Sequence, residues 1–269
     1  MTIIRVFPRR NRATPDDELA FVGDPPLFRP RSGEVHVSCT FTWDKSEAER
    51  LARAWARHYG TVKLGGPAYD DAGTEFAPGM YVKHGYTITS RGCPNACGFC
   101  FVPKREGELR LLDIRPGWDI LDNNILACPR SHIEAVLSML DEQPKAARFT
   151  GGIEAARVED WFVKRLAKMR LNILYMAYDR PAARVAVARA ADMMLDARLK
   201  RWQVGCYVLI GHKGDTVGAA MERLAWVKEL GITPFAMLFR DEKNTEPQQE
   251  WKHLQRSWCR PAAMFAKEK

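Results

Sequence analysis

Val204-Gly-Cys-Tyr-Val-Leu-Ile210, followed by Gly211-His212, is the stretch that decides the fold class. Its residues form a nearly continuous apolar run. Such a run is typical of a parallel strand that is covered on both faces, whereas a half-buried strand alternates. Because parallel strands need long crossover connections, which are usually helices, the stretch predicts an α/β fold.

Strand-like and helix-like segments alternate on both sides of this run. The other predicted strands are 86–90, 118–121, 147–150, 172–178 and 233–239. Apolar residues recur at helical spacing between them, as in Ile133, Val136, Leu137 and Leu140. Thr216 and the capping box Ser131-x-x-Glu134 predict two helix starts. Six strands with intervening helices predict a partial (β/α)6 barrel of the TIM type over residues 85–240.

The segments outside 85–240 predict two smaller pieces. Residues 1–32 are proline-rich and predict a mostly irregular arm; a strand at 35–41, a helix capped by Ser46-x-x-Glu49 and a strand at 61–64 then predict a small βαβ element within 1–84. In 241–269, Trp251, Leu254 and Trp258 recur at helical spacing. They predict a helical cover over the barrel mouth, with ordinary helix packing as the alternative.

Composition and charge limit the classes of function that the chain can have. The chain has 269 residues, a formal net charge of +8 and a pI near 9.2, which favours an anionic partner such as DNA. Solvated helix faces are the alternative explanation, because no recognisable nucleic-acid-binding module accompanies the charge. The N-terminus lacks a signal-peptide core and no long apolar stretch occurs, so we expect a cytoplasmic protein without membrane contact.

Three cysteines, Cys93-x-x-x-Cys97-x-x-Cys100, follow the first strand of the predicted barrel. Three thiolates can hold three irons of a [4Fe–4S] cluster and leave the fourth iron open to a small molecule. A structural zinc site is the alternative, and it would need a fourth ligand such as Cys128, Cys206 or a histidine. The seven cysteines are an odd number, which disfavours a disulfide framework. Cys39, Cys128, Cys206 and Cys259 are interpreted as packing residues.

Polar residues and glycines follow the later strands at their carboxyl ends. In parallel α/β barrels the loops at these ends converge on one mouth, where ligands bind. The coincidence of so many such features predicts a single site. Its members are the three cysteines, Asp122-Asn123-Asn124, Gly151-Gly152-Ile153-Glu154, Asp179, Ile210-Gly211 and Met237 to Arg240.

Residues 89–101 resemble the cysteine loop of the radical S-adenosylmethionine (SAM) enzymes. Over 85–240 the chain resembles a small family in which an Asp-Asn-Asn-x-Leu-Ala block, a Gly-Gly-x-Glu turn, a Tyr-Asp strand end and a Tyr-Val-Leu-Ile-Gly strand follow that loop in this order. Its two termini resemble those of uncharacterised members carried by bacteria and phages. The resemblance implies a [4Fe–4S] cluster that binds SAM and cleaves it reductively. The 5′-deoxyadenosyl radical so released would abstract hydrogen from a substrate.

Residue roles follow from the same resemblance. Cys93, Cys97 and Cys100 would bind iron and act in catalysis, and Phe99 would pack near the adenine. Asp122, Asn123 and Asn124 would hold the ammonium of the methionine moiety. Asp179 would bind the ribose hydroxyls, and Ile210 and Gly211 would lie against the adenine. Gly151, Gly152 and Glu154 would face SAM or the substrate. Met237 belongs to the last group of these strand-end residues. Arg240, in the same group, would bind a carboxylate or phosphate or form a surface salt bridge.

The N-terminal βαβ element resembles the remnant of a cobalamin-binding domain. The Asp-His-Gly signature that holds cobalamin is missing, so no cobalamin is expected. A low-potential electron donor of the flavodoxin or ferredoxin type is implied as a partner. The expected substrate is a nucleic-acid base or modified nucleotide in DNA, processed by an isomerase or a base-modifying reaction. A peptide or small metabolite is the alternative substrate, and a non-catalytic iron–sulfur or zinc protein that binds nucleic acid is the alternative function.

Overall fold

Two parallel β-sheets organise the chain. The computed structural model describes residues 2–71, 73, 75–241 and 245–259. The first sheet has four strands from the N-terminal part of the chain, and the second has six strands from the remainder. The predicted α/β class with parallel sheets is confirmed.

The N-terminal sheet contains the predicted βαβ element. Its elements are β1 (Ile3–Phe7), β2 (Ala20–Val22), β3 (Glu34–Ser38), α1 (Lys45–Ala56) and β4 (Val62–Gly65). All four strands are parallel, in the order β2-β1-β3-β4. Helix α1 connects β3 to β4 and buries Leu51 and Trp55 in the core that contains Val35 and Val37.

The prediction of a mostly irregular arm over residues 1–32 is wrong where β1 and β2 form. Strand β1 is an inner strand of the sheet, and its Ile4 and Val6 are fully buried. The prolines lie outside both strands, beginning with Pro8 immediately after β1. The apolar residues of β1 are stabilised by pairing with β3, a partner about thirty residues away along the chain that local proline content does not reveal.

The second sheet contains six parallel strands in sequential order, β5-β8-β9-β10-β11-β12. Its part of the chain consists of β5 (Tyr86–Thr87), β6 (Ser90–Arg91), α2 (Val102–Arg105), β7 (Arg110–Leu111), β8 (Asp119–Ile120), α3 (Arg130–Asp141), β9 (Ala147–Ile153), α4 (Asp160–Leu166), β10 (Leu171–Ala177), α5 (Arg184–Asp196), β11 (Val204–Ile210), α6 (Val217–Glu229), β12 (Thr233–Leu238) and α7 (Gln249–Trp258). Strands β6 and β7 pair with each other as a separate antiparallel ribbon. Strands β5 and β12 are the two edges of the sheet, so the described residues form an open sheet.

The two faces of the second sheet differ. One face packs against the helices, and alternate residues of β11, such as Cys206 and Val208, are fully buried there. The opposite face carries Tyr175, Tyr207 and Phe235, and the two tyrosine rings stack with centroids 4.2 Å apart. Tyr207 is only half-buried, so β11 is fully covered on one face rather than on both.

Both predicted capping boxes are wrong, although the helices they belong to are present. Helix α1 already begins at Lys45, because a 3-10 turn over Thr42–Asp44 leads directly into it. Helix α3 begins at Arg130 after Pro129. Helix α6 has the predicted start, since the Thr216 hydroxyl accepts a hydrogen bond from the Ala219 N–H. No helix among the described residues has both the length and the apolar character needed to cross a membrane.

Candidate functional site

The cysteine loop connects β6 to β7. Gly92 opens it with a φ of +79°, and a Cβ there would lie 2.1 Å from the Glu108 carbonyl oxygen, so the turn requires glycine. The Cys93 N–H donates to the Gly107 carbonyl at 3.4 Å, and the Cys100 N–H donates to the Cys97 carbonyl at 2.9 Å. These bonds fold the loop on itself and leave all three thiols half-buried.

The loop lies along the carboxyl edge of the second sheet. It contacts residues that follow β8, β9, β11 and β12. The contacts are Asn124 Nδ2 to Cys93 Sγ at 3.7 Å, Asn95 Nδ2 to Glu154 Oε2 at 2.9 Å, the Phe99 and His212 ring centroids at 6.3 Å, and those of Phe101 and Phe239 at 6.4 Å. Segments that are far apart in sequence therefore meet at one edge, as parallel topology requires.

Burial and neighbouring acids disfavour thiolates in the loop. Burial raises the pKa of Cys97 and of Cys100, and Cys93 and Asp179 add negative charge that raises both further. Arg180 opposes the shift at Cys97. Because a thiol must lose its proton to bind a metal, these shifts predict that metal uptake releases protons.

The described residues contain no group of three His, Cys, Asp or Glu side chains converging on one metal ion. A zinc site requires all its ligands within bonding distance of a single point. In a [4Fe–4S] cluster each cysteine binds a different iron, so the thiols stand farther apart than the ligands of one ion. A zinc site would therefore require the three thiols to lie closer together than a [4Fe–4S] cluster would.

The three residues of the Asp122-Asn123-Asn124 block point to different partners. Asp122 is buried and accepts hydrogen bonds from the Thr89 N–H and the Thr89 and Ser90 hydroxyls, at 2.6 to 2.7 Å. Burial raises the pKa of Asp122. Its carboxylate thus links the end of β5 to the end of β8, and its hydrogen bonds are made within the protein.

Asn123 and Asn124 extend from the same turn toward the loop. The Asn123 side-chain amide donates to Glu106 Oε2 at 2.6 Å. Asn124 donates to Glu154 Oε2 at 2.7 Å and lies against Cys93. The Asn124 Oδ1 atom is buried and has no hydrogen-bond partner among the described residues. An unsatisfied buried acceptor beside a cysteine is the feature of this block that best suits a cationic ligand group.

The Gly151-Gly152 turn belongs to β9, which continues through Ile153. A Cβ at Gly151 would lie 2.3 Å from the Asp122 carbonyl oxygen, and Gly152 has a φ of +97°. Glu154 follows and accepts hydrogen bonds from Asn95, Asn124 and Arg157. Burial alone would raise the pKa of Glu154, but these bonds outweigh it and lower the pKa. Glu154 therefore joins the cysteine loop to the Asn124 turn as an ionised carboxylate.

Asp179 lies at the end of β10, beside β11. Its Oδ1 accepts a hydrogen bond from the Leu209 N–H at 3.1 Å, and burial raises its pKa to about 6. The Ile210 side chain is fully buried on the helix face, so only its backbone is available to a ligand at the edge. Gly211 has a φ of +75°, and a Cβ there would lie 3.2 Å from Leu238 and Trp251 side-chain atoms.

Met237 and Arg240 lie farther along the same edge. Met237 is exposed. The Arg240 guanidinium pairs with Glu246 at 3.3 Å and lies 5.5 Å from the centre of the Trp43 ring. The salt-bridge alternative for Arg240 therefore describes the contacts in the structure. Cys39, Cys128 and Cys206 are buried and Cys259 is half-buried, in keeping with packing roles.

Glu106 and Asn95 are site residues that sequence reasoning missed. Glu106 accepts hydrogen bonds from Arg91 at 3.2 Å, the Gly92 N–H at 3.3 Å and Asn123 at 2.6 Å. It joins the two ends of the cysteine loop and fastens them to the Asn123 turn. Asn95 lies inside the cysteine motif, and that position could have identified it as a site residue. The sequence around Glu106 has no pattern that identifies Glu106 as one.

The chain matches no protein-family model, and no curated protein is significantly similar to it.

Proposed function

We propose that this chain is a radical SAM enzyme and that its six-stranded sheet is an open (β/α)6 partial barrel. The observation that carries the proposal is the three-cysteine loop lying along the carboxyl edge of the sheet, in contact with residues after β8, β9, β11 and β12. Sequential parallel strands with helices on one face support the barrel. The opposite face, which carries Tyr175, Tyr207 and Phe235, would be the one that faces a ligand.

The side chains at this edge fit the two cofactors. Cys93, Cys97 and Cys100 would bind three irons of a [4Fe–4S] cluster. The unsatisfied Asn124 Oδ1 would accept a hydrogen bond from the ammonium of SAM. The Asp179 carboxylate would accept hydrogen bonds from ribose hydroxyls, and Gly152, where a Cβ would meet no atom closer than 3.8 Å, would leave room for a ligand beside its backbone.

When bound, the cluster supplies the electron that cleaves SAM and yields a 5′-deoxyadenosyl radical. The residues of the chain hold the reactants and exclude water. Phe99 and Phe101 form apolar contacts across the edge with His212 and Phe239, and they would shield the reacting carbon from solvent. Selectivity would then depend on which C–H bond the pocket holds against that carbon.

The proposed substrate is a nucleic-acid base or modified nucleotide, and the net charge of +8 supports an anionic polymer as its carrier. The electron would come from a protein of the flavodoxin or ferredoxin type. Such donors and reduced thiols are found in the cytoplasm, which is the proposed location.

Anaerobic reconstitution with iron and sulfide, followed by dithionite and SAM, tests the proposal. We expect 5′-deoxyadenosine by mass spectrometry and a visible iron–sulfur absorption band. Cys97→Ala should lose both because one iron loses its ligand. Cys259→Ala should keep both, since Cys259 lies outside the loop.

Two results would contradict the proposal. One is a wild-type protein that binds iron and sulfide yet yields no 5′-deoxyadenosine. The other is stoichiometric zinc together with unfolding of Cys97→Ala, which would support the structural zinc alternative.

A further inference from the structure

A cavity of about 430 Å³ lies between the carboxyl end of the N-terminal sheet and the cysteine loop. One wall is formed by residues at and after the ends of β3 and β4, including Ser38, Thr40 and Gly66. The opposite wall is formed by the second sheet and its loop, including Arg91 and Asn123. The volume lies within the range of roughly 300–1,000 Å³ that is usual for small-molecule pockets, so the cavity suits a small molecule rather than a duplex.

The cavity shares a wall with the cysteine loop. Arg91 is two residues before Cys93, and Glu106 binds both the Gly92 N–H and Asn123. The next residue, Asn124, contacts the Cys93 sulfur at 3.7 Å. A ligand in the cavity would therefore lie beside the base of the cysteine loop.

The cavity has two cations, both already paired with carboxylates, and three carboxylates. Its cations are Lys63 and Arg91, and its carboxylates are Asp71, Glu75 and Glu106. Lys63 pairs with Glu34 at 2.8 Å and Arg91 with Glu106 at 3.2 Å. Because neither cation is left to balance a phosphate, the cavity suits an uncharged group, even though the whole chain carries a charge of +8.

The walls combine hydrogen-bonding groups with flat apolar surface. The Arg91 Nε atom is buried and has no hydrogen-bond partner among the described residues, so an acceptor on the ligand would satisfy it. Asn123 offers an amide at the same wall. Phe76, Tyr81 and Ile88 supply aromatic and aliphatic surface. An uncharged planar ring with donors and acceptors on its edge matches this lining.

We infer that the cavity binds the nucleobase of the substrate, with Arg91 and Asn123 contacting the edge of the ring. This inference rests on the proposed function, because it takes the substrate to lie beside the cysteine loop. The sugar and any phosphates attached to it would remain outside the cavity. Both a free nucleoside and a base within single-stranded DNA would present this chemistry.

Binding of the four deoxynucleosides and of a mixed-sequence single-stranded oligonucleotide tests the inference, measured by calorimetry on the reconstituted protein without reductant. Thr40→Trp and Ala77→Trp each place a large ring at an exposed lining position. We expect each variant to weaken binding about tenfold or more, because the ring occupies the space of the base. Thr61→Trp is the matched control, because Thr61 is an exposed threonine immediately before β4 and lies outside the cavity, and it should bind as the wild type does.

The relative affinities identify the source of the base. Tighter binding of the oligonucleotide indicates a base within a strand, and equal affinity for a deoxynucleoside indicates a free nucleoside; both support the cavity. The inference is overturned if none of these probes binds, or if both tryptophan variants fold and bind like the wild type. The second result would assign binding to the SAM site instead.

This experiment separates the inference from the proposed function. If base binding is weakened by Thr40→Trp and Ala77→Trp but the protein forms no 5′-deoxyadenosine, the inference about the cavity stands and the proposed enzymatic function is wrong. If the protein forms 5′-deoxyadenosine but neither variant changes base binding, the proposed enzymatic function stands and the inference about the cavity is wrong.

Discussion

Asp179 is an acidic residue whose ionisation is opposed by its surroundings. Burial raises its pKa from 3.8 to about 6, although the Leu209 N–H, Arg223, His212 and Arg180 all favour the charged form. The folded protein therefore binds this proton more tightly than the unfolded chain does. The contribution of Asp179 to stability is therefore most favourable below about pH 4, and it falls by about 3 kcal/mol in all as the pH rises through about 6.

We predict that Asp179→Asn stabilises the protein near neutral pH. The amide oxygen can still accept the Leu209 hydrogen bond but carries no charge, so the gain should approach about 3 kcal/mol above pH 6 and vanish below about pH 4. Urea unfolding across this range measures it. Asp113→Asn, the same substitution at an exposed position, is the control. A gain for Asp179→Asn that is equal at both ends of the range would contradict the explanation.

The cysteine loop is an element whose geometry depends on one carboxylate. Glu106 lies just after α2 and receives hydrogen bonds from Arg91, the Gly92 N–H and Asn123. The Arg91 and Glu106 side chains are only 13% and 11% exposed. Removing the carboxylate would leave a largely buried guanidinium without its counterion, and that loss is more costly than the loss of a surface pair.

We predict that Glu106→Ala lowers the free energy of unfolding by about 3 kcal/mol or more. Glu134→Ala is the matched control, because its pair with Arg130 is exposed at 51% and 63% and should contribute only about 0.5 kcal/mol. Urea unfolding of the two variants measures the difference. Losses of equal size would show that the Arg91–Glu106 pair behaves as a surface pair.

Elements of strong apolar character were predicted with close bounds, whereas the short strands β5 and β8 were predicted too long and β7 was not predicted. The predicted strand Val204–Ile210 has the observed bounds, and the strand at 172–178 is shifted by one residue to Leu171–Ala177. The strand predicted at 86–90 is instead divided into β5, which pairs with β8, and β6, which pairs with β7. Two-residue strands have too few side chains to create a periodic pattern, so their pairing depends on distant partners.

At the scale of the whole molecule, charge is distributed unequally between the exterior and the cavity. The chain carries a net charge of +8, while the cavity is lined by two cations and three carboxylates. With the proposed substrate, the net positive charge would attract the phosphates and the cavity would take the uncharged base. The attraction to phosphates is screened by salt, but the contacts to the base are not.

We predict that affinity for a single-stranded oligonucleotide falls roughly twentyfold when salt rises from about 50 to about 200 mM, as expected for about three phosphate contacts. A free deoxynucleoside has no phosphate, so its affinity should change little over the same range. Fluorescence anisotropy for the oligonucleotide and calorimetry for the nucleoside measure the two. Oligonucleotide affinity that does not change with salt would argue against phosphate contacts.

The α/β class, the sequential strands β9 to β12 and the order of the motifs along the chain were determined by sequence alone, because long apolar runs and helical spacing are local properties. Tertiary structure decided which side chains meet. In the folded chain Asp122 accepts hydrogen bonds from Thr89 and Ser90, Glu106 joins both ends of the cysteine loop, and a cavity lies between the two sheets. These outcomes depend on contacts between residues that are far apart in sequence, and the hydrogen bonds of a buried polar group are set by whatever neighbours the fold brings to it.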